Sequence, residues 1–269
     1  MVPPMTPRTR VPFRRAAATL AVALALAAVA RAAGALPPPA VPAPIQAAVG
    51  AADRSEADRA LDPGREPAEL LAFFGIAPGM KVAELGAGGG YTAELLARVV
   101  GPGGVVYGHN TPFVLQRFAE KPWTERLATP VMANVKRLDR PFDDPFPADL
   151  RDLDAVLIVL FYHDTVWQGV DRDRMNAAVF AALKPGGVYG VVDHRARGAD
   201  GITATQTLHR ITAEAVRAEV ARAGFRLAGE ADFLANPDDA MDWNAAPAAA
   251  AERRGTSDRF VLKFVKPEP

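Results

Sequence analysis

The chain has no cysteine among its 269 residues, so neither a disulfide framework nor a lipid-modified cysteine is available to it. That absence suits an oxidising or a reducing compartment and decides nothing between them. Net charge is missing as well, with 31 basic residues balancing 31 acidic ones. No basic stripe with interleaved aromatics occurs, which speaks against nucleic acid as a partner. A long apolar run is also lacking: "AAATLAVALALAAVA" is short for a membrane span but has the length of a signal-peptide core. No internal repeat is visible.

What is present begins with that run. Arg8, Arg10, Arg14 and Arg15 precede it, and "ARAAGA" offers small-residue cleavage sites after Ala32 or Ala35. Residues 1–32 are therefore expected to be a signal peptide, and the mature protein to be exported, with the periplasm as its compartment. The alternatives are an uncleaved membrane anchor or an upstream start before a cytoplasmic enzyme. Arg14-Arg15 makes a poor twin-arginine signal in its surroundings. Residues 1–32 carry five Arg and no acid, so without them 26 basic residues face 31 acidic ones, near −5. Residues 33–52 read as a Pro/Ala-rich linker. Within them "LPPPAVPAPIQAAV" (36–49) holds too many prolines to nucleate a helix and is expected to be stiff and extended. Residues 53–269 have the length of one α/β domain.

In that domain "REPAELLAFFGIAPG" reads as a helix with Pro67 in its first turn and Gly75 as a left-handed cap. Strands are expected at 80–85, at "VVYG" after "GPGG", weakly at "ANVKRL", at "DAVLIVLFY" (154–162) and at "VYGVVD" (188–193). The fourth is apolar without alternation, as a central parallel strand covered on both faces should be. Helices are expected from Tyr91, around Val114–Phe118 with Pro122-Trp123 interrupting, near 171–183 and at about 212–223. "FRLAGEADFL" and "DRFVLKFV" supply a last pair of strands. The alternation predicts an α/β fold, a doubly wound, mostly parallel sheet with an antiparallel last pair.

In such a sheet, ligands gather at the carboxyl ends of the strands. The first strand ends in "ELGAGGGY", residues 84–91. A dinucleotide fingerprint would need a third glycine at position 91, where Tyr91 stands, so that spacing fails and a nicotinamide oxidoreductase is disfavoured. The stretch instead resembles the E/D-x-G-x-G-x-G motif of class I S-adenosylmethionine-dependent methyltransferases. The resemblance spans about residues 55–266 and includes "LFYHD", "FAALKPGGVYGVVDH", "ARAGFRL" and "SDRFVLKFVKP" in family order. It is nearest to an exported branch of predicted methyltransferases. The resemblance implies a seven-stranded Rossmann-like fold, S-adenosylmethionine as cofactor, and a small-molecule methyl acceptor. Glu84 would order the methionine end of the cofactor, with Gly86, Ala87, Gly88, Gly90 and Tyr91 around the same pocket. The family places a carboxylate after the second strand to take the ribose hydroxyls; this chain has Asn110 there, an uncharged departure. Asp143 or Asp144 would meet the adenine, unless that stretch is only a solvated acidic loop.

Methyl transfer needs alignment and, for a hydroxyl or a protonated amine, a base. Of the four histidines, His109, His163 and His194 are expected just beyond strand ends and His209 in the connection after the fifth strand. His163 is the first candidate for acceptor contact or general base, and Asp193-His194 the second; backbone hydrogen bonding on the rim is the structural alternative. Tyr162 and Trp167 could wall an aromatic pocket, or simply pack. Asp164 and Asp193 fall where some O-methyltransferases hold Mg²⁺, but His194 stands where that set has Asn, and Mg²⁺ prefers oxygen. No metal is expected on that account. The connection 234–257, with Trp243, Asn244, Arg253 and Arg254, is long enough to be a lid or a packed excursion. A non-catalytic exported binding protein that keeps the pocket is the competing function.

Overall fold

The computed structural model describes Met1 and residues 41–268, so the signal-peptide reading and the first part of the linker lie outside the described residues. Seven strands form one sheet in the order β3-β2-β1-β4-β5-β7-β6. They are β1 (Lys81–Leu85), β2 (Val105–Asn110), β3 (Val135–Asp139), β4 (Leu153–Val159), β5 (Leu183–His194), β6 (Arg226–Ala231) and β7 (Arg259–Val265). The pairs β1–β2, β1–β4, β2–β3 and β4–β5 are parallel, while β7 runs antiparallel to both β5 and β6. Strand order reverses between β1 and β4, which opens a crevice at their carboxyl ends.

The main helices are α1 (Ala43–Val49), α2 (Pro67–Phe74), α3 (Tyr91–Val100), α4 (Glu120–Leu127), α5 (Tyr162–Trp167), α6 (Arg172–Ala182) and α7 (Ala213–Arg222). They cover both faces of the sheet. Val82 and Leu157 pack with Leu71 of α2, Leu96 of α3 and Trp123 of α4. On the other face Ala83, Val156 and Ile158 meet Met175 and Val179 of α6 and Val216 of α7. The unalternating apolar run of β4 thus has a partner on each side. Helix α2 ends at Gly75, φ 76°, and the amide of Ile76 bonds back to Leu71 while its side chain is buried.

Three local expectations are corrected. Residues 43–49 are helical rather than extended. Pro44 occupies the first turn, where its missing N–H would be unpaired anyway, and Ile45 and Ala48 bury one face. Position along the helix outweighs the number of prolines before it. Pro122 does not interrupt a helix: it sits in the first turn of α4, after a π-helical stretch Leu115–Ala119. Strand β5 begins at Leu183, before the Pro-Gly-Gly, and a register shift between the Leu153–Leu183 and Ala155–Val188 pairs absorbs those residues.

Candidate active site

The glycine turn links β1 to α3. Gly86 has φ 71° and Gly90 φ 87°, conformations that favour glycine. A Cβ at Gly86 would lie 2.7 Å from Phe161, and one at Gly90 would lie 2.5 Å from Trp123. The turn is therefore moulded around two aromatic rings. His109 and Asn110, at the end of β2, hold it from beneath. Gly86 N–H donates to His109 Nδ1 at 3.4 Å, and His109 Nε2–H donates to the Arg140 carbonyl at 2.8 Å. Burial pushes His109 down to about 4, so the ring is neutral near pH 7. Ala87 N–H bonds to the His109 carbonyl at 2.8 Å. The amide of Asn110 accepts from Gly88 N–H at 2.8 Å and donates to the Gly88 carbonyl at 3.0 Å.

That pairing corrects the ribose role expected of Asn110. Its side chain is fully buried and grips the backbone of the turn. His109 is likewise a support for the turn rather than a rim residue.

Above the turn, Arg126 of α4 donates from Nε to the Gly89 carbonyl at 2.7 Å and pairs with Asp58 at 2.6 Å and with Glu94. Tyr91 donates its hydroxyl to Asp62 at 2.5 Å, and the Arg65 guanidinium lies 4.4 Å from the centre of its ring. Asp62 in turn takes both terminal nitrogens of Arg54 at 2.7 Å. Residues 54–65 thereby form a roof over the turn. Beneath it lies an apolar cavity lined by Arg65, Tyr91, Thr92, Leu95, Val159 and Leu160.

Glu84 is 3 % exposed and stands on this side of the sheet. Burial raises its carboxyl to about 7, against the lowering pull of Thr92, Arg65, the Ala93 amide and Arg126. Its Oε2 is buried without a hydrogen-bond partner. Thr92 and Arg65, which act on this carboxyl, line the apolar cavity, and an unpaired buried carboxylate oxygen suits a ligand that brings a cationic donor. Asp143, proposed for the adenine, lies in the loop after β3 and faces Arg174 at 3.4 Å, while Asp144 pairs with Arg140.

The second half of the site follows β4. Leu160 has φ 60°, an uncommon angle for leucine, and turns the chain abruptly into α5. The turn drives His163 onto Asp193 at the end of β5. Asp193 accepts the His163 backbone N–H at 2.7 Å, His163 Nδ1–H at 2.7 Å and the His194 N–H at 2.8 Å. Asp193 is fully buried and surrounded by these donors, so it positions His163 rather than meeting an acceptor, which corrects its catalytic assignment. Burial pulls His163 down, but Asp193 and Asp164 outweigh it and raise the ring to about 10. A ring whose proton is held this way by two carboxylates is a weaker general base than a free imidazole, which weighs against the base role and leaves acceptor contact as the alternative. His194 is held below its ordinary range by burial and by the neighbouring His163 and Arg259 charges. Arg259 donates to Ser257 Oγ at 3.0 Å and the hydroxyl donates to His194 Nδ1 at 2.7 Å, a structural arrangement.

Sequence reading missed the partner that completes this cluster. His209, φ 50°, brings Nδ1 to 3.1 Å from His163 Nε2. Its neighbour Arg210 is fully buried and anchors the loop through Asp239 at 2.8 Å and the Arg195 carbonyl at 3.0 Å. Trp243 closes on Arg210 and donates to Asp239 at 2.7 Å, so this part of the 234–257 connection is packed. Trp167 stands beside His209, with ring centres 6.2 Å apart, and its Nε1–H donates to Asp164 Oδ1 at 2.7 Å. Tyr162 instead points into the core and bonds to Glu219 at 2.9 Å.

Comparisons with known proteins agree with this architecture. The family model of protein-L-isoaspartate(D-aspartate) O-methyltransferase matches residues 65–132, about a quarter of the chain. No curated protein sequence matches it. Among solved structures, the chain is similar to a SAM-dependent methyltransferase from Aquifex aeolicus, with 18% identity and a TM-score of 0.55 over 77% of this chain and 96% of that one. A second, from Mesorhizobium loti, shares 19% identity with a TM-score of 0.51 over 76% of this chain and 99% of that one. The [4+2]-cyclase SpnF is equally similar, with 19% identity and a TM-score of 0.52 over 79% and 82% of the two chains. The fold therefore hosts more than one chemistry. By its seven-stranded sheet, its strand order and the glycine turn after the first strand, the chain has the fold of the class I S-adenosylmethionine-dependent methyltransferases.

Proposed function

We propose that the protein binds S-adenosylmethionine at the glycine turn and transfers its methyl group to a small-molecule acceptor. The observation that carries the reading is Glu84, whose Oε2 is buried and unpartnered next to Thr92 and Arg65, two residues that line the cavity behind the turn. The family-model match supports it, because residues 65–132 contain Glu84, the turn and Arg126, which bonds to the turn. When bound, the cofactor supplies a methyl group on a cationic sulfonium that is also the leaving group. The chain's own contribution is binding and alignment. Glu84 takes the amino group, Asn110 and His109 fix the turn, and Tyr91 with Arg65 shuts the cavity from water.

The matched segment ends before β4, so it does not extend to the acceptor side. There Trp167 and Phe113, with ring centres 5.9 Å apart, would suit a small, partly aromatic acceptor. Export to the periplasm is part of the proposal and rests on residues 1–32 alone.

Calorimetric titration with S-adenosylhomocysteine is the test. Binding that weakens in Glu84→Gln supports the reading. A folded protein that takes up no ligand at high micromolar concentration refutes it and favours the non-catalytic binding protein.

A further inference from the structure

Three potential ligand atoms converge on the acceptor side without a role in the methyl-transfer reading. His163 Nε2 and His209 Nδ1 are 3.1 Å apart, and each lies 3.2 Å from Asp164 Oδ1. For bonds of about 2.05 Å, two ligands of one ion stand about 2.9 Å apart at a right angle and about 3.3 Å apart at the tetrahedral angle. The observed triangle falls between those values. Its side is also too short for an ion in its plane, so a bound ion would stand off it, with its remaining positions on one side.

Each ligand atom is aimed by a second group. Asp193 takes the Nδ1–H of His163 at 2.7 Å, which leaves Nε2 facing the triangle. This is the carboxylate–histidine pairing that orients metal-bound imidazoles. Trp167 fixes Asp164 through a 2.7 Å hydrogen bond, and the buried Arg210 fixes the loop at His209. Side-chain exposures of 3 % for His163, 15 % for Asp164 and 22 % for His209 describe a pocket with one open side. Two carboxylates, Asp164 and Asp193, adjoin the site, and a doubly charged cation that displaces the Nε2 proton of His163 would balance them.

We propose that His163, Asp164 and His209 form a binding site for a divalent first-row transition metal such as Zn²⁺ or Co²⁺. Two imidazoles select such ions over Mg²⁺; the assignment departs from the sequence expectation of no metal, which weighed only magnesium at Asp164, Asp193 and His194. The open positions would carry water or an oxygen of a bound molecule. The inference stands independently of the methyl-transfer reading.

The test uses the full chain, free of any tag and stripped with a chelator, titrated with Zn²⁺ and Co²⁺. With four histidines and no cysteine in the whole sequence, competing sites have few ligands. One equivalent is expected to bind, to raise Tm with ion concentration, and to give visible absorption with Co²⁺; equal Mg²⁺ does neither. Asp193→Asn should bind about 10- to 100-fold more weakly. His209→Ala, in a surface loop, should lose stoichiometric binding, and His209→Gln serves if that variant fails to fold. No stoichiometric uptake by the folded wild type, or uptake unchanged in the His209 variants, overturns the assignment. S-adenosylhomocysteine titrated into the same stripped protein keeps the two readings apart.

Discussion

Replacing Glu84 with Gln should make the ligand-free protein more stable while making it bind its cofactor less well. Burial raises this carboxyl from 4.5 to about 7, so the folded state holds its proton more tightly than the unfolded chain does. Between those values the folded state binds more protons, and stability falls as pH rises. The stability linked to Glu84 is complete below about 4.5 and lost once pH passes about 7. Each pKa unit is worth about 1.4 kcal/mol, which makes the loss on the order of 3 kcal/mol. Glutamine has the same shape and no charge to strand. At pH 8 the variant should therefore exceed wild type by up to about 3 kcal/mol, or roughly 6–12 °C in Tm for a domain of this length. The difference should vanish near pH 5. Urea unfolding at pH 5, 6, 7 and 8 measures it. In the same proteins S-adenosylhomocysteine should bind about 10- to 100-fold more weakly to the variant, the cost of one charge-assisted hydrogen bond. Wild-type affinity should climb as pH rises toward 7 and level off above it. Parallel stability profiles for the two proteins would refute the burial argument. A tighter-binding variant would refute the role given to the carboxylate.

Three further outcomes follow from the supports of the site. His109 is buried neutral, so wild-type stability should fall as pH drops from 6.5 to about 4; urea titrations should show this loss shrinking in His109→Gln. Gly90→Ala places a methyl 2.5 Å from Trp123 at φ 87° and should cost about 2–5 kcal/mol, seen as a lower urea midpoint. Removing one member of the Arg210–Asp239 pair, both essentially unexposed and 2.8 Å apart, should cost about 3–5 kcal/mol; Asp239→Ala unfolding at an unchanged midpoint would contradict it.

The frame of this molecule is legible in its sequence because its signals are local. The unbroken apolar run of β4, the glycine turn before α3 and the Gly75 cap each state their structure within a few residues. The site is less so, because its geometry joins distant segments. His209 lies 46 residues from His163, and only a left-handed backbone and a buried arginine bring the rings together. Asn110 stands where a ribose ligand is expected, and nothing in its neighbours announces that its amide turns onto Gly88, 22 residues earlier. His163 looks like a base by residue type. The two carboxylates that raise its pKa are Asp164 beside it in sequence and Asp193 at the end of β5.

The roof over the glycine turn also limits how the N-terminus can be processed. Arg54, Asp58 and Asp62 reach Tyr91 and Arg126 directly, and Ile45 of α1 is fully buried in the core. A protease that cut after residue 53 would release no inert leader, since α1 would leave with it and uncover core surface. A cut after residue 65 would also strip both acids from Arg126 and Tyr91 and leave the turn uncovered. Maturation that preserves the domain must therefore end upstream of Ile45, because trimming past that point uncovers core and then the glycine turn.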